Sequence, residues 1–135
     1  MKYRVSRPEI PVLWLDTHAI TALSTAHEQP DSSDSTVLVN REILDRLRDL
    51  RRNGSIFIFE TDQMREIEVK SSLGDSARTV VAQLTLGVRS SYVNIQDNQI
   101  SRAMQAAISG ASEMELDFPS AFRGDPFSQE QRGEF

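Results

Sequence analysis

Two short, unbroken apolar runs constrain this chain more than anything else in it: Val12-Leu13-Trp14-Leu15 and Ser55-Ile56-Phe57-Ile58-Phe59. Continuous runs of this length suit strands buried on both faces, as in a parallel sheet. The second is rich in β-branched and aromatic residues, which favours the same reading. Each is followed by helical signals. Asp16 and Thr17 are good N-caps, and Ala19 to Leu23 read as the opening of a short helix. Residues 28–35 are a loop by composition.

From Val37 to Arg52 the pattern is helical. Leu38, Ile43, Leu44, Leu47 and Leu50 fall roughly on one face. Glu42 with Arg46 and Asp45 with Arg48 are opposite charges at helical spacing, and Asn53-Gly54 supplies a stop. After the second run, Thr61 or Asp62 caps a helix over about Gln63 to Ser72. Gly74-Asp75-Ser76 marks a break and a new N-cap. Val80, Val81, Leu84 and Val88 form a stripe that ends near Gly87. Tyr92 to Ile95 alternates and reads as a strand. Asp97 then caps a helix through Ile100, Ala103, Met104, Ala107 and Ile108, stopped by Gly110. Residues 111–135 show no periodicity and read as an irregular C-terminal segment appended to an α/β domain over 1–110.

This order predicts an α/β fold with a parallel sheet. Sites in such sheets gather at the carboxyl ends of the strands. Asp16 lies there after the first run; Glu60, Asp62 and Glu66 lie there, or one turn on, after the second. Position alone leaves Asp16 open between helix cap and ligand. It likewise leaves Glu60, Asp62 and Glu66 open between ligands, solvated residues and groups that favour a helix N-terminus. A magnesium or manganese site needs several converging oxygen ligands. Asp97, Asp117 and Asp125 are candidates for a third.

At 135 residues the chain is sized for one domain. It has no cysteine, which excludes disulfides, thiolate zinc sites and cysteine nucleophiles. That fits a reducing, cytoplasmic setting. No apolar run approaches the roughly 20 residues that span a bilayer. The apolar stretch after the basic N-terminus is short and holds Asp16, so a signal peptide is not expected. The net charge of −5 gives no global basic surface for phosphates. It is still compatible with metal-carboxylate chemistry, in which Asp and Glu hold cations that in turn meet a phosphate.

Val12-Leu13-Trp14-Leu15-Asp16-Thr17-His18-Ala19-Ile20 resembles the opening of PIN-domain nucleases, and most closely the toxin ribonucleases of bacterial toxin–antitoxin modules. Ser55 to Phe59, followed by Met64-Arg65-Glu66-Ile67, is similar to the family's second element, with Glu66 in the place of the second acid. Arg123-Gly124-Asp125-Pro126-Phe127 is similar to an Asp-Pro-Phe-Asp stretch of such toxins. The family's metal-binding Asp corresponds to Ser128 here, and Asp125 is the substitute. The family's closing strand with Thr-Ala-Asp has no counterpart, so a fragment or a divergent member is expected.

The resemblance implies a three-layer, parallel-sheet PIN-like fold, incomplete at its C-terminus. It implies hydrolysis of phosphodiesters in RNA or single-stranded nucleic acid. Asp16 and Glu66 would be catalytic, and Asp16, Glu66 and Asp125 would hold Mg2+ or Mn2+. Thr17 would assist through its hydroxyl. Partners implied are the nucleic acid and an antitoxin-like protein or a second copy, with no membrane. The alternative is a catalytically incomplete PIN-like module that binds protein. A receiver-like or phosphatase-like α/β domain should show acids before as well as after the first strand end, and that pattern is not found.

Other residues carry weaker signals. His18 and His27 have no acidic partner that would make a general base. Arg41, Arg48 and Arg52 share a helix face at spacings of seven and four, suited to phosphate or, more simply, to their own acidic neighbours. Trp14, inside an apolar run, is expected in the core and not as a base-stacking platform. Phe118, Phe122 and Phe127 would dock on a partner or pack back onto the domain.

Overall fold

The computed structural model describes residues 2–5, 8–61, 67, 72–116 and 121–123. In chain order the elements are β1 (Lys2–Val5), β2 (Val12–Leu13), α1 (Thr17–Glu28), α2 (Ser35–Arg52), β3 (Phe57–Ile58), α3 (Gly74–Thr85), β4 (Arg89–Ser90), α4 (Tyr92–Ser109), β5 (Glu113–Leu116) and β6 (Phe122–Arg123). The fold is mixed α/β.

Both apolar runs form strands, and the strands pair in parallel. Val12 faces Phe57 and Leu13 faces Ile58. Beyond β3 the ladder continues by one parallel bridge from Glu60 to Arg89. There the Glu60 amide donates to the Val88 carbonyl at 2.8 Å, and the Ser90 amide donates to the Glu60 carbonyl at 3.1 Å. β4 pairs antiparallel with β6, Arg89 opposite Arg123. β1 and β5 form a separate parallel pair, with Lys2 opposite Glu113.

The core follows from the alternation of side chains along β3. Ile56 and Ile58 join Ile20 and Leu23 of α1, Leu44 of α2 and Val80, Val81 and Leu84 of α3. Phe57 points the other way, into a cluster with Val88 and Phe122. Phe57 meets Phe122 edge to face, ring centroids 5.1 Å apart, and Phe59 lies 5.0 Å from Phe122. Edge-to-face pairing of this kind adds about 1 kcal/mol to plain burial. Val88, expected on the stripe of α3, instead lies past the helix and serves this second cluster.

Several helix ends are secured by side chains and others by backbone turns. Asp34 caps α2, its Oδ1 accepting from the Thr36 and Val37 amides at 3.0 and 3.1 Å. Gly54, with φ of 76°, turns the chain out of α2. Leu86 and Gly87, with φ of 52° and 77°, do so after α3. Arg51 is 1% exposed. Its Nε and Nη2 donate to the Leu84 and Thr85 carbonyls at 3.1 and 3.3 Å, and its guanidinium lies 5.4 Å from the Phe57 ring centre. A cation at the carboxyl end of α3 satisfies carbonyls the helix leaves unpaired and complements its dipole. Two further arginines join α2 to the end of α1. Arg41 donates to the Gln29 carbonyl, and Arg48 bonds to Nδ1 of His27 at 3.1 Å. The expected pairs within α2 are present, Arg46 with Glu42 at 3.5 Å and Arg48 with Asp45 at 3.3 Å.

Several expectations are corrected. Trp14 is not in the core: it is 63% exposed. The β2 ladder is only two residues long, and Trp14 lies past it. Tyr92 to Ile95 is not a strand but the first turn of α4, because Ser91 caps the helix by accepting from the Asn94 amide at 3.3 Å. Asp97 is therefore an internal residue of α4 and not its cap. The N-cap of α3 is Leu73, without a side-chain hydrogen bond, so Asp75 serves only in the first turn. Residues 111–135 are not irregular throughout, since β5 and β6 fall within them. Leu38, Ile43 and Leu50 of α2 are 46%, 43% and 39% exposed, so the buried stripe is narrower than its sequence pattern. Of the helix expected over 63–72, Ile67 is helical and buried; residues 62–66 and 68–71 lie outside the described residues.

Candidate active site

Asp16 sits three residues past Leu13, the last residue of β2, in extended backbone with φ of −76° and ψ of 171°. It is the N-cap of α1. Its Oδ1 accepts from the Ala19 amide at 2.8 Å, and its carbonyl accepts from the Ile20 amide at 3.1 Å. The side chain is exposed, and Oδ2 takes no hydrogen bond from the described residues. The two readings of Asp16 are thus compatible. One oxygen holds the helix, and the other stays open to a ligand at the positive end of the α1 dipole.

Glu60 lies two residues past Ile58, the last residue of β3. Because β2 and β3 run parallel with Leu13 opposite Ile58, Asp16 and Glu60 follow the carboxyl ends of neighbouring strands at one sheet edge. The Glu60 side chain is only 11% exposed, and its Oε2 lies 3.8 Å from Nη2 of Arg89. Next to it, the Thr61 hydroxyl is buried without a hydrogen-bond partner. Thr17 opens α1 and is exposed, its carbonyl accepting from the Thr21 hydroxyl at 2.8 Å. His18 is exposed beside it. His27 is engaged with Arg48 at the far end of α1.

Of the other expected ligands, Asp62, Glu66, Asp117 and Asp125 lie outside the described residues. Asp97 is exposed on α4, beside Ile100 and Met104. Among the described residues no group of three His, Cys, Asp or Glu side chains converges as a cation site. Arg41 and Arg48 are committed to the α1–α2 contact, and Arg52 is exposed. Phe122 packs back into the core, whereas Phe118 and Phe127 lie outside the described residues.

Two residues escaped the sequence reading. The signal for Arg51 was present, since it lies seven residues after Leu44 on the same buried stripe of α2. The ion pair of Glu60 with Arg89 had no local signal, because it depends on a pairing between distant segments. Among the described residues no helix is long and apolar enough to cross a membrane. Comparison with protein-family models, with curated proteins and with solved structures finds no match to this chain.

Proposed function

We propose that this chain is a metal-dependent nuclease of PIN type, acting on phosphodiesters of RNA or single-stranded nucleic acid. One observation carries the reading: Asp16 stands at the carboxyl end of β2, beside a parallel β3, with one carboxylate oxygen open. In this reading the parallel pair belongs to a three-layer PIN-like sheet, and α1 to α3 pack on one of its faces.

The donor set present fits a hard divalent cation in part. Asp16 offers an oxygen unbonded among the described residues, and Glu66 and Asp125 are the acids that the family register adds. A bound Mg2+ or Mn2+ supplies a Lewis acid that lowers the pKa of a water and neutralises phosphate charge. The chain's own residues do the rest. Asp16, and Glu66 by the family register, would supply carboxylates to the ion. The capping bond of Asp16 fixes its rotamer, so little freedom is lost on binding. Thr17 orients a water or a ligand through its hydroxyl. Arg89 holds Glu60 at the rim of the same edge.

The test is cleavage of an end-labelled single-stranded RNA in the presence of Mn2+. Asp16→Asn is the informative variant, because asparagine is as good an N-cap as aspartate. Folding should be kept while cleavage falls by on the order of a hundredfold or more. Glu66→Gln should do the same. Undiminished cleavage in both variants removes the site from this assignment.

A second reading, a PIN-like module that binds protein, is favoured by α4. Ile100, Met104 and Ile108 lie one turn apart on its surface and are 59%, 59% and 84% exposed. Apolar stripes of this kind mark protein-binding surfaces. Absence of cleavage with any divalent ion, together with stable capture of a partner lost on Met104→Glu, selects it.

A further inference from the structure

We propose that Trp14 is a stacking platform for an unpaired base of the nucleic-acid strand held at Asp16, and that it selects single strands over duplex. The location of the strand rests on the nuclease reading above; the platform rests on the geometry of residues 13–16.

Trp14 is the only tryptophan of the chain. It is 63% exposed although it stands within an apolar run. Its two neighbours are anchored, since Leu13 and Leu15 both pack against the cluster shared by β3 and the helices. The next residue, Asp16, is extended and locked by its capping bond to Ala19. The ring is therefore carried on a segment fixed on both sides. No aromatic or cation contact among the described residues covers it.

Burial alternates along the segment: Leu15 is half-buried between exposed Trp14 and exposed Asp16. In extended chain, residues two apart share a side, with Cα atoms about 6–7 Å apart. Trp14 and Asp16, two apart and both exposed, thus share one side of the segment, and Oδ2 of Asp16 takes no hydrogen bond from the described residues. Thr17 and His18, both exposed, continue the rim in polar character.

An apolar ring beside polar, phosphate-directed chemistry suits a nucleobase. Every base has a face that stacks, so the platform is sequence-tolerant. A duplex keeps its bases stacked inside, whereas loops and single strands offer them. The net charge of −5 bears on the salt dependence of binding rather than on the choice of ligand. With little cationic attraction for phosphates, binding through the platform should show a shallow salt dependence.

The test uses the full chain and Trp14 itself as the reporter. A single-stranded oligoribonucleotide is titrated in EDTA, where no cleavage occurs, and the tryptophan emission is followed. Saturable quenching by the single strand, and none by the matching duplex, is expected. Anisotropy of a dye-labelled copy of the strand should show binding weakened about tenfold or more in Trp14→Ala. Trp14→Phe should restore part of it, and circular dichroism should show both variants folded. Cleavage that is metal-dependent in wild type and undiminished in Trp14→Ala, with unquenched emission, overturns the platform and leaves the nuclease standing. Quenching in EDTA without cleavage in Mn2+ overturns the nuclease reading and leaves the platform standing. Wild-type affinity in Trp14→Ala overturns the platform in either case.

Discussion

Residues 12–15 and 56–59 are both four-residue apolar runs, yet they end in different environments. Ile56, Phe57 and Ile58 are 7%, 0% and 0% exposed, because helices cover one face of β3 and Val88 with Phe122 cover the other. Val12, Leu13 and Leu15 are only half-buried, and Trp14 is exposed. Among the described residues β2 pairs with β3 alone, which leaves its other side uncovered by them. Two apolar runs thus yield a core where neighbours stand on every side, and an open rim where the described residues cover only one side. Stability should reside at β3 and activity at the end of β2, and substitutions at the two places should separate the two properties.

The largest effect on stability is expected at β3. Phe57→Ala should cost about 3–5 kcal/mol of unfolding free energy by chemical denaturation. A loss near zero would mean that the aromatic cluster does not support the sheet. Arg51→Ala comes next. It removes two hydrogen bonds from the carboxyl end of α3 and the cation over Phe57, for a loss of about 2–4 kcal/mol. In a double-mutant cycle with Phe57→Leu the two losses should not add, since the groups touch. Asp16→Ala should cost about 1 kcal/mol through the lost cap, and Asp16→Asn only a few tenths, while both remove cleavage. Thermal unfolding read beside activity separates the two roles. Trp14→Ala should change stability by less than about 0.5 kcal/mol, as for an exposed position outside any network. A larger loss would mean that the rim is part of the core, and the contrast would fail.

Features set by near neighbours in the sequence were readable from it. Asp16 as a cap, the ion pairs of α2, the stop at Asn53-Gly54 and the strand character of both apolar runs depend on residues within a turn or two. The parallel pairing of those runs was readable as well, because the alternation of elements implies it. Pairing between remote segments was not. β5 forms only because β1 lies alongside it, and Glu113 to Leu116 carries no strand pattern of its own beyond a four-residue alternation. Tyr92 to Ile95 satisfies a strand alternation and a helical turn equally, and the capping bond of Ser91 decided between them. Trp14 misled because hydrophobicity reports what a residue prefers, not whether the fold has a neighbour to cover it. For the site, Asp16 was legible from its place after a strand. The near-burial of Glu60 against Arg89 was not, since it arises from the bridge between β3 and β4.

The central claim is that the open oxygen of Asp16 helps hold a divalent ion at the end of β2. Calorimetric titration of Mn2+ into the wild-type chain and into Asp16→Asn, both shown folded, tests it most directly. The account predicts saturable binding by the wild type and its loss in the variant, at unchanged unfolding temperature. Equal binding by the two proteins, or none by either, contradicts it.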